Sequence, residues 1–123
     1  MRAREEGQSS VEFALVAPLI LGTVFLVLQA GLLMTNQLLI AAAAREGVRE
    51  AAVSADPARA QEAARRAAPR LRTEVEVDLG TGLTGDPVRV TVRTHPVALP
   101  LVGRLLVGRT QAASAIMRLE RGR

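Results

Sequence analysis

Gly7, Glu12 and Phe13 stand directly before a long uncharged run. A lone carboxylate at the entrance of such a run calls for a charge partner, and a possible cut after Gly7 would supply one. A cut after Gly7 would make Gln8 the new N-terminus and Glu12 the fifth residue of the product. The freed α-amino group of Gln8 is a cation below a pKa of about 8. On one helix that amine and the Glu12 carboxylate lie about one turn apart. The amine that meets Glu12 could therefore come from the same subunit or from a neighbour, and the second arrangement would set the axial register of an assembly.

The element that must position these groups is a membrane helix. Residues 13–34 carry no charge, and the neutral stretch continues through Thr35, Asn36 and Gln37 to Ala44. About 22 helical residues at roughly 1.5 Å each give about 33 Å, enough to cross a hydrocarbon core. Glu12 lies at the entrance of this span, where an ionisable group is disfavoured by up to roughly 3 kcal/mol at mid-bilayer and by less near the interface, so a partner is expected. Pro18 and Gly22 fall inside the run, and both residue types are tolerated in spanning helices.

Residues 7–17, GQSSVEFALVA, resemble the start of TadE-like proteins, the minor pilins or pseudopilins of tight-adherence secretion systems. Gly7, Glu12 and Phe13 are similar to the prepilin-peptidase site of Flp-class type IVb pilins. Phe13 is followed by Ala14 where those pilins usually carry Tyr, which points to the TadE branch, as does a chain longer than the major subunit. The stretch ASAIMRLE at 113–120 also fits that family's ending. The resemblance implies a leader at 1–7, removed by a prepilin peptidase that reads Gly7, Gln8, Glu12 and Phe13, and an assembly contact through Glu12. It implies a cytoplasmic N-terminus, one pass through the cell membrane and an extracytoplasmic C-terminal domain. The implied partners are that peptidase, other pilin or pseudopilin subunits and the pilus assembly platform. Charge alone fixes the topology poorly, because Arg2 and Arg4 on one side face Arg45 and Arg49 on the other.

The same residues also admit an uncleaved single-pass anchor carrying a module that binds an envelope partner or ligand. A cleavable secretory signal fits less well, since Glu5 and Glu6 accompany Arg2 and Arg4, and Leu28-Gln29-Ala30 is not a small-x-small site.

After Ala44 only 79 residues remain, enough for one small domain. Such a domain is marginal alone, and this one has no aromatic residue, because Phe13 and Phe25 both lie in the span. Its order is expected to depend on the membrane helix or on partner subunits. The chain has no cysteine, which excludes disulfides, thiolate metal sites and thiol catalysis. Every basic residue is Arg. Fourteen Arg against nine acids after Ala44 suit an anionic surface. They do not suit nucleic acid, because they are dispersed among acids and lack aromatic stacking partners.

The helix is expected to continue past the membrane through residues 37–53, with an apolar and a charged face. Asp56-Pro57 reads as an N-cap followed by Pro at the first helical position, opening a second helix over 58–67 that Pro69 ends. The abundant Ala would allow close helix packing, but a GC-rich genome gives the same composition, and that reading weighs more. From Thr73 the period changes to two. Val75, Val77 and Leu79 alternate with Glu74, Glu76 and Asp78, and after the 80–87 loop Val88, Val90 and Val92 alternate with Arg89, Thr91 and Arg93. One antiparallel register sets Leu79, Val77 and Val75 opposite Val88, Val90 and Val92. It also sets Asp78 opposite Arg89 and Glu74 opposite Arg93, predicting an ion-paired outer face. A third strand is expected near 110–119, with Ala113, Ala115, Met117 and Leu119 on one face. Between the last two strands, residues 96–108 (PVALPLVGRLLVG) are too apolar for an ordinary loop. They either cover the sheet or form a contact surface, and core cover is the favoured reading.

No enzyme is indicated. His95 is the only histidine and has no acid pair nearby, the serines lack a base, and the glycines at 80, 82 and 85 lack the Lys and helix start of a phosphate loop. No catalytic, metal or cofactor site is expected. The predicted class is α+β, with a long N-terminal transmembrane helix and its extension at 8–55. A small extracytoplasmic domain at 56–123 follows, with a second short helix and an antiparallel sheet of about three strands.

Overall fold

The computed structural model describes residues 2–95 and 110–120, with side chains from Ser10 onward. The expected apolar segment 96–108 lies outside the described residues. One helix, α1, runs unbroken from Arg2 to Ser54, with Pro18 inside it. It ends at Ala55, which takes φ +50°, a left-handed backbone more often given to glycine. Helix α2 spans Pro57–Ala67. The Asp56 carboxylate accepts from the Ala58 N–H at 2.9 Å, so the N-cap and the Pro at the first helical position are as expected.

Strands β1 (Thr73–Asp78), β2 (Pro87–Thr94) and β3 (Gln111–Arg118) form an antiparallel sheet in the order β1-β2-β3. The expected register is found: Val75 faces Val92, Val77 faces Val90, Glu74 faces Arg93 and Asp78 faces Arg89. Three details differ. Leu79 lies past the end of β1, and its carbonyl accepts from Gly82 N–H at 3.1 Å to open the turn. The ion pair across the outer face is diagonal, Arg93 to Glu76 at 2.8 Å, while Asp78 turns to accept from Gly80 N–H at 3.0 Å. Strand twist brings a diagonal neighbour within reach of a side chain as long as Arg. Met117 is 40 % exposed, although Ala113, Ala115 and Leu119 turn toward the core.

The core is made of small aliphatic groups. Val88, Val90 and Val92 of the central strand are fully buried, each contributing about 1.5–3 kcal/mol. They meet Ile40, Ala43, Ala44, Val48 and Ala51 of α1 and Ala60 and Ala64 of α2. The C-terminal part of α1 is therefore a wall of the domain as well as its stalk. The alanines are used for close approach. A Cβ placed on Gly47 would stand 3.1 Å from Ala64 Cβ, 3.1 Å from Val90 Cγ1 and 3.2 Å from the Ala60 carbonyl oxygen.

Strand β3 runs alongside α1 in the same direction. At its start Gln111 Nε2 donates to Leu33 O at 3.0 Å and Gln37 Nε2 donates to Ala112 O at 3.3 Å. Beyond its end Glu120 N donates to Ala52 O at 2.9 Å. Nineteen helical residues and nine extended ones both rise about 28–30 Å, so helix and strand stay in step. Leu119 directs both backbone groups toward the β2 side, to Gly85 N and Asp86 O, so Glu120 and Ala112 point the other way. The outer edge of β3 is thus covered by α1, which shields it from pairing with another strand.

Candidate processing and membrane-assembly site

Gly7, Gln8, Glu12 and Phe13 all lie on the continuous α1 backbone. Nothing breaks the helix between Gly7 and Phe13, so Gln8 and Glu12 are four residues, about one turn, apart. Glu12 is exposed, and Phe13 projects at 72 % exposure. No ion pair among the described residues involves Glu12, since the four that form use Glu46, Asp56, Glu62 and Glu76. The structure thus brings Glu12 and Phe13 to the surface of the helix, and among the described residues no cation contacts Glu12.

That helix is bare along most of its membrane-length part. Val11, Leu15, Leu19, Ile20 and Leu21 are each more than half exposed, and at 3.6 residues per turn they lie on all sides of the axis. Water does not tolerate so long an apolar sleeve, so lipid or neighbouring helices must cover it. Among the described residues there is one helix long and apolar enough to cross a membrane. Gln29 is the only buried residue between Ser10 and Leu39, a feature that sequence periodicity gave no reason to single out. Gly31 leaves a shallow apolar notch between Val27, Leu28, Leu32 and Thr35.

Beyond the span, charge lies on solvated faces. Glu46 and Arg49 pair at 2.6 Å, one turn apart on α1. The Arg49 hydrogen bond holds the Glu46 carboxyl below the usual carboxylate range, and the same contact pushes Arg49 up. Asp86 is held low by the Thr81 hydroxyl and by the backbone N–H groups of Leu83 and Thr81, so it closes the β1–β2 loop. Among the described residues His95 meets a neutral group, with Nδ1 3.4 Å from Thr110 Oγ1. No cluster of three or more potential metal ligands occurs among the described residues.

This architecture defines a class: a small α+β head built directly on the end of one membrane-length helix. The family model for TadE-like protein matches residues 7–49, which bears out the resemblance read from Gly7 to Ala17. The match begins at the candidate cleavage residue and covers the span and the α1 wall of the core as far as Val48, stopping before Ala51 and α2. TadE-like proteins are pilus-associated structural proteins, and the match and the helix together fit a pilus-associated membrane protein. Neither the curated proteins nor the solved structures contain a match to the chain.

Proposed function

We propose that the protein is a minor pilin or pseudopilin of a tight-adherence, Flp-type apparatus, cut after Gly7 by a prepilin peptidase. The observation that carries this reading is the family match from Gly7 onward together with Glu12, an exposed carboxylate at the mouth of a bare apolar helix with no ion pair among the described residues. In this reading the N-terminus is cytoplasmic and the head lies outside the cell membrane.

In the uncut chain the nitrogen of Gln8 is an uncharged amide and offers Glu12 no charge to pair with. Cutting creates an ammonium one turn away and gives the carboxylate something to pair with. A cation about 5 Å from the carboxylate is worth roughly 3 kcal/mol at an effective dielectric near 20, comparable to the cost of placing an acid in the membrane. If the ammonium of a neighbouring subunit fills this role, cleavage and assembly are coupled and the helices can dock in one register only. The head, rigidly walled by α1, then meets other subunits outside.

The test is Glu12→Ala in the native background. Cleavage should proceed, because Gly7 and the helix remain, while co-purification of the mature chain with pilus subunits and the assembly platform should fall. Unchanged co-purification would remove Glu12 from the assembly contact.

A further inference from the structure

Two landmarks fix the depth of α1 in a bilayer. Glu12 bounds the apolar run on one side, and Thr35, Asn36 and Gln37 bound it on the other. The run between them, about 33 Å, matches a hydrocarbon core of about 30 Å with little slack, so the far boundary falls close to Met34. The headgroup layer outside that boundary is roughly 5–8 Å deep, which four or five more helical residues traverse.

The head is bolted on inside this narrow zone. Gln111, the first residue of β3, donates to the carbonyl of Leu33, one residue short of the boundary. Gln37 holds the next residue, Ala112. Across the sheet Thr94 is the register partner of Gln111, and His95 touches Thr110. Leu38, one turn past Met34, stays 67 % exposed although it stands beside the head. The near end of the sheet is therefore at the height of the last turn of the span. No spacer separates head from membrane.

From these heights we infer that the membrane-facing foot of the head, formed by Leu38, His95, Thr110 and Gln111, is seated in the headgroup–acyl boundary of the bilayer. Its partner is lipid, and the inference rests on reading α1 as a membrane span. Two features of the sequence agree with it. Residues 96–109, which join His95 to Thr110 in the sequence, contain eight Ala, Val or Leu, two Arg and no acid. Amphipathic content of that kind suits an interface where apolar groups meet anionic headgroups. Leu38 also gains by lipid contact what it loses by exposure to water.

The chain lacks Cys and Trp, so single reporters can be placed without background. The full-length protein would be reconstituted in vesicles of phosphatidylcholine and phosphatidylglycerol, with a spin label on Thr110→Cys, on Leu83→Cys at the far end of the head, or on Leu21→Cys in mid-span. Collision with a water-soluble nickel chelate should be several-fold lower at 110 than at 83, and oxygen access should be higher. In a second variant, His95→Trp, emission should be blue-shifted and quenched by lipids brominated high on the acyl chain.

Nickel access at 110 equal to that at 83 would overturn the seating. So would protection at 110 without bromolipid quenching at 95, because protein would then be the cover. The label at 21 separates the two claims. Lipid exposure at 21 with a water-exposed 110 defeats the seating alone, whereas water exposure at both defeats the span as well.

Discussion

Replacing Gly47 with valine probes the point where α1, α2 and the central strand come closest. Even a single Cβ there would lie 3.1 Å from Ala64 Cβ and Val90 Cγ1 and 3.2 Å from Ala60 O, against an ordinary carbon contact of about 3.5–4.0 Å. None of these neighbours is the tip of a flexible side chain. One is a backbone oxygen and two are methyl groups held close to rigid backbone, so the helices must separate. Overpacking of this kind costs about 1–3 kcal/mol. For Gly47→Ala a helix-propensity gain of about 1 kcal/mol offsets much of that, leaving a loss of roughly 0–2 kcal/mol. Valine adds two more methyls with no space and a smaller propensity gain, so a net loss of about 2–3 kcal/mol is expected. The assay is amide hydrogen exchange of the full chain in lipid nanodiscs, read at Val88, Val90 and Val92, whose protection reports opening of the head. At about 1.4 kcal/mol per tenfold, exchange there should accelerate roughly 30- to 150-fold in Gly47→Val, with Gly47→Ala between it and the parent. Unchanged or slower exchange in the valine variant would refute the three-way crossing.

Other expectations follow from single contacts. Ala55→Gly relieves the left-handed backbone at the end of α1 and should slow exchange in the last turn of the helix, with a gain of roughly 0.5–1 kcal/mol less the loss of a buried methyl. Asp56→Ala removes the cap of α2 and should cost about 1 kcal/mol, read as faster exchange at Ala58 and Ala60. The carboxyl of Asp86 is lower in the folded state than unfolded, so its contribution is complete above the usual aspartate range and is lost as pH falls through the folded value. An NMR titration should therefore find Asp86 below an ordinary aspartate and moved upward in Thr81→Val. A fragment of residues 45–123 lacks Ile40, Ala43 and Ala44 of the core and should give no cooperative melt, because each lost aliphatic group leaves a cavity costing up to several kcal/mol.

The sheet was legible in the sequence because two independent patterns agreed. Valines on one face and opposite charges on the other match in a single register, and the structure adopts it. The choice of Glu76 over Glu74 by Arg93 was not legible, since backbone register fixes which Cα atoms are opposite while twist and side-chain length choose the contact. Asp56-Pro57 could be read because capping is local. Gly47 could not, because a glycine in an alanine-rich helix looks like a weak helix former until a second helix and a strand are known to cross it. For the same reason the sequence favoured composition as the source of the alanines, and only packing shows Ala43, Ala60 and Ala64 at the contact. The spacing of Gly7, Glu12 and Phe13 was fully visible, and so was the apolar run that follows. The bond from Gln111 to Leu33, which ties the head to the end of the span, joins residues 78 apart and has no local signal.

The central claim, that the chain is a processed prepilin-like subunit, is tested most directly by the N-terminus of the membrane-extracted protein made with its native peptidase. Intact mass and N-terminal sequencing should give a mature chain beginning at Gln8, with the Glu12 carboxylate one turn from a free amine. A chain that retains residues 1–7 would contradict the account. It would leave Gly7 and Glu12 as part of a simple membrane anchor, and the head as a module that binds its partner without entering a pilus.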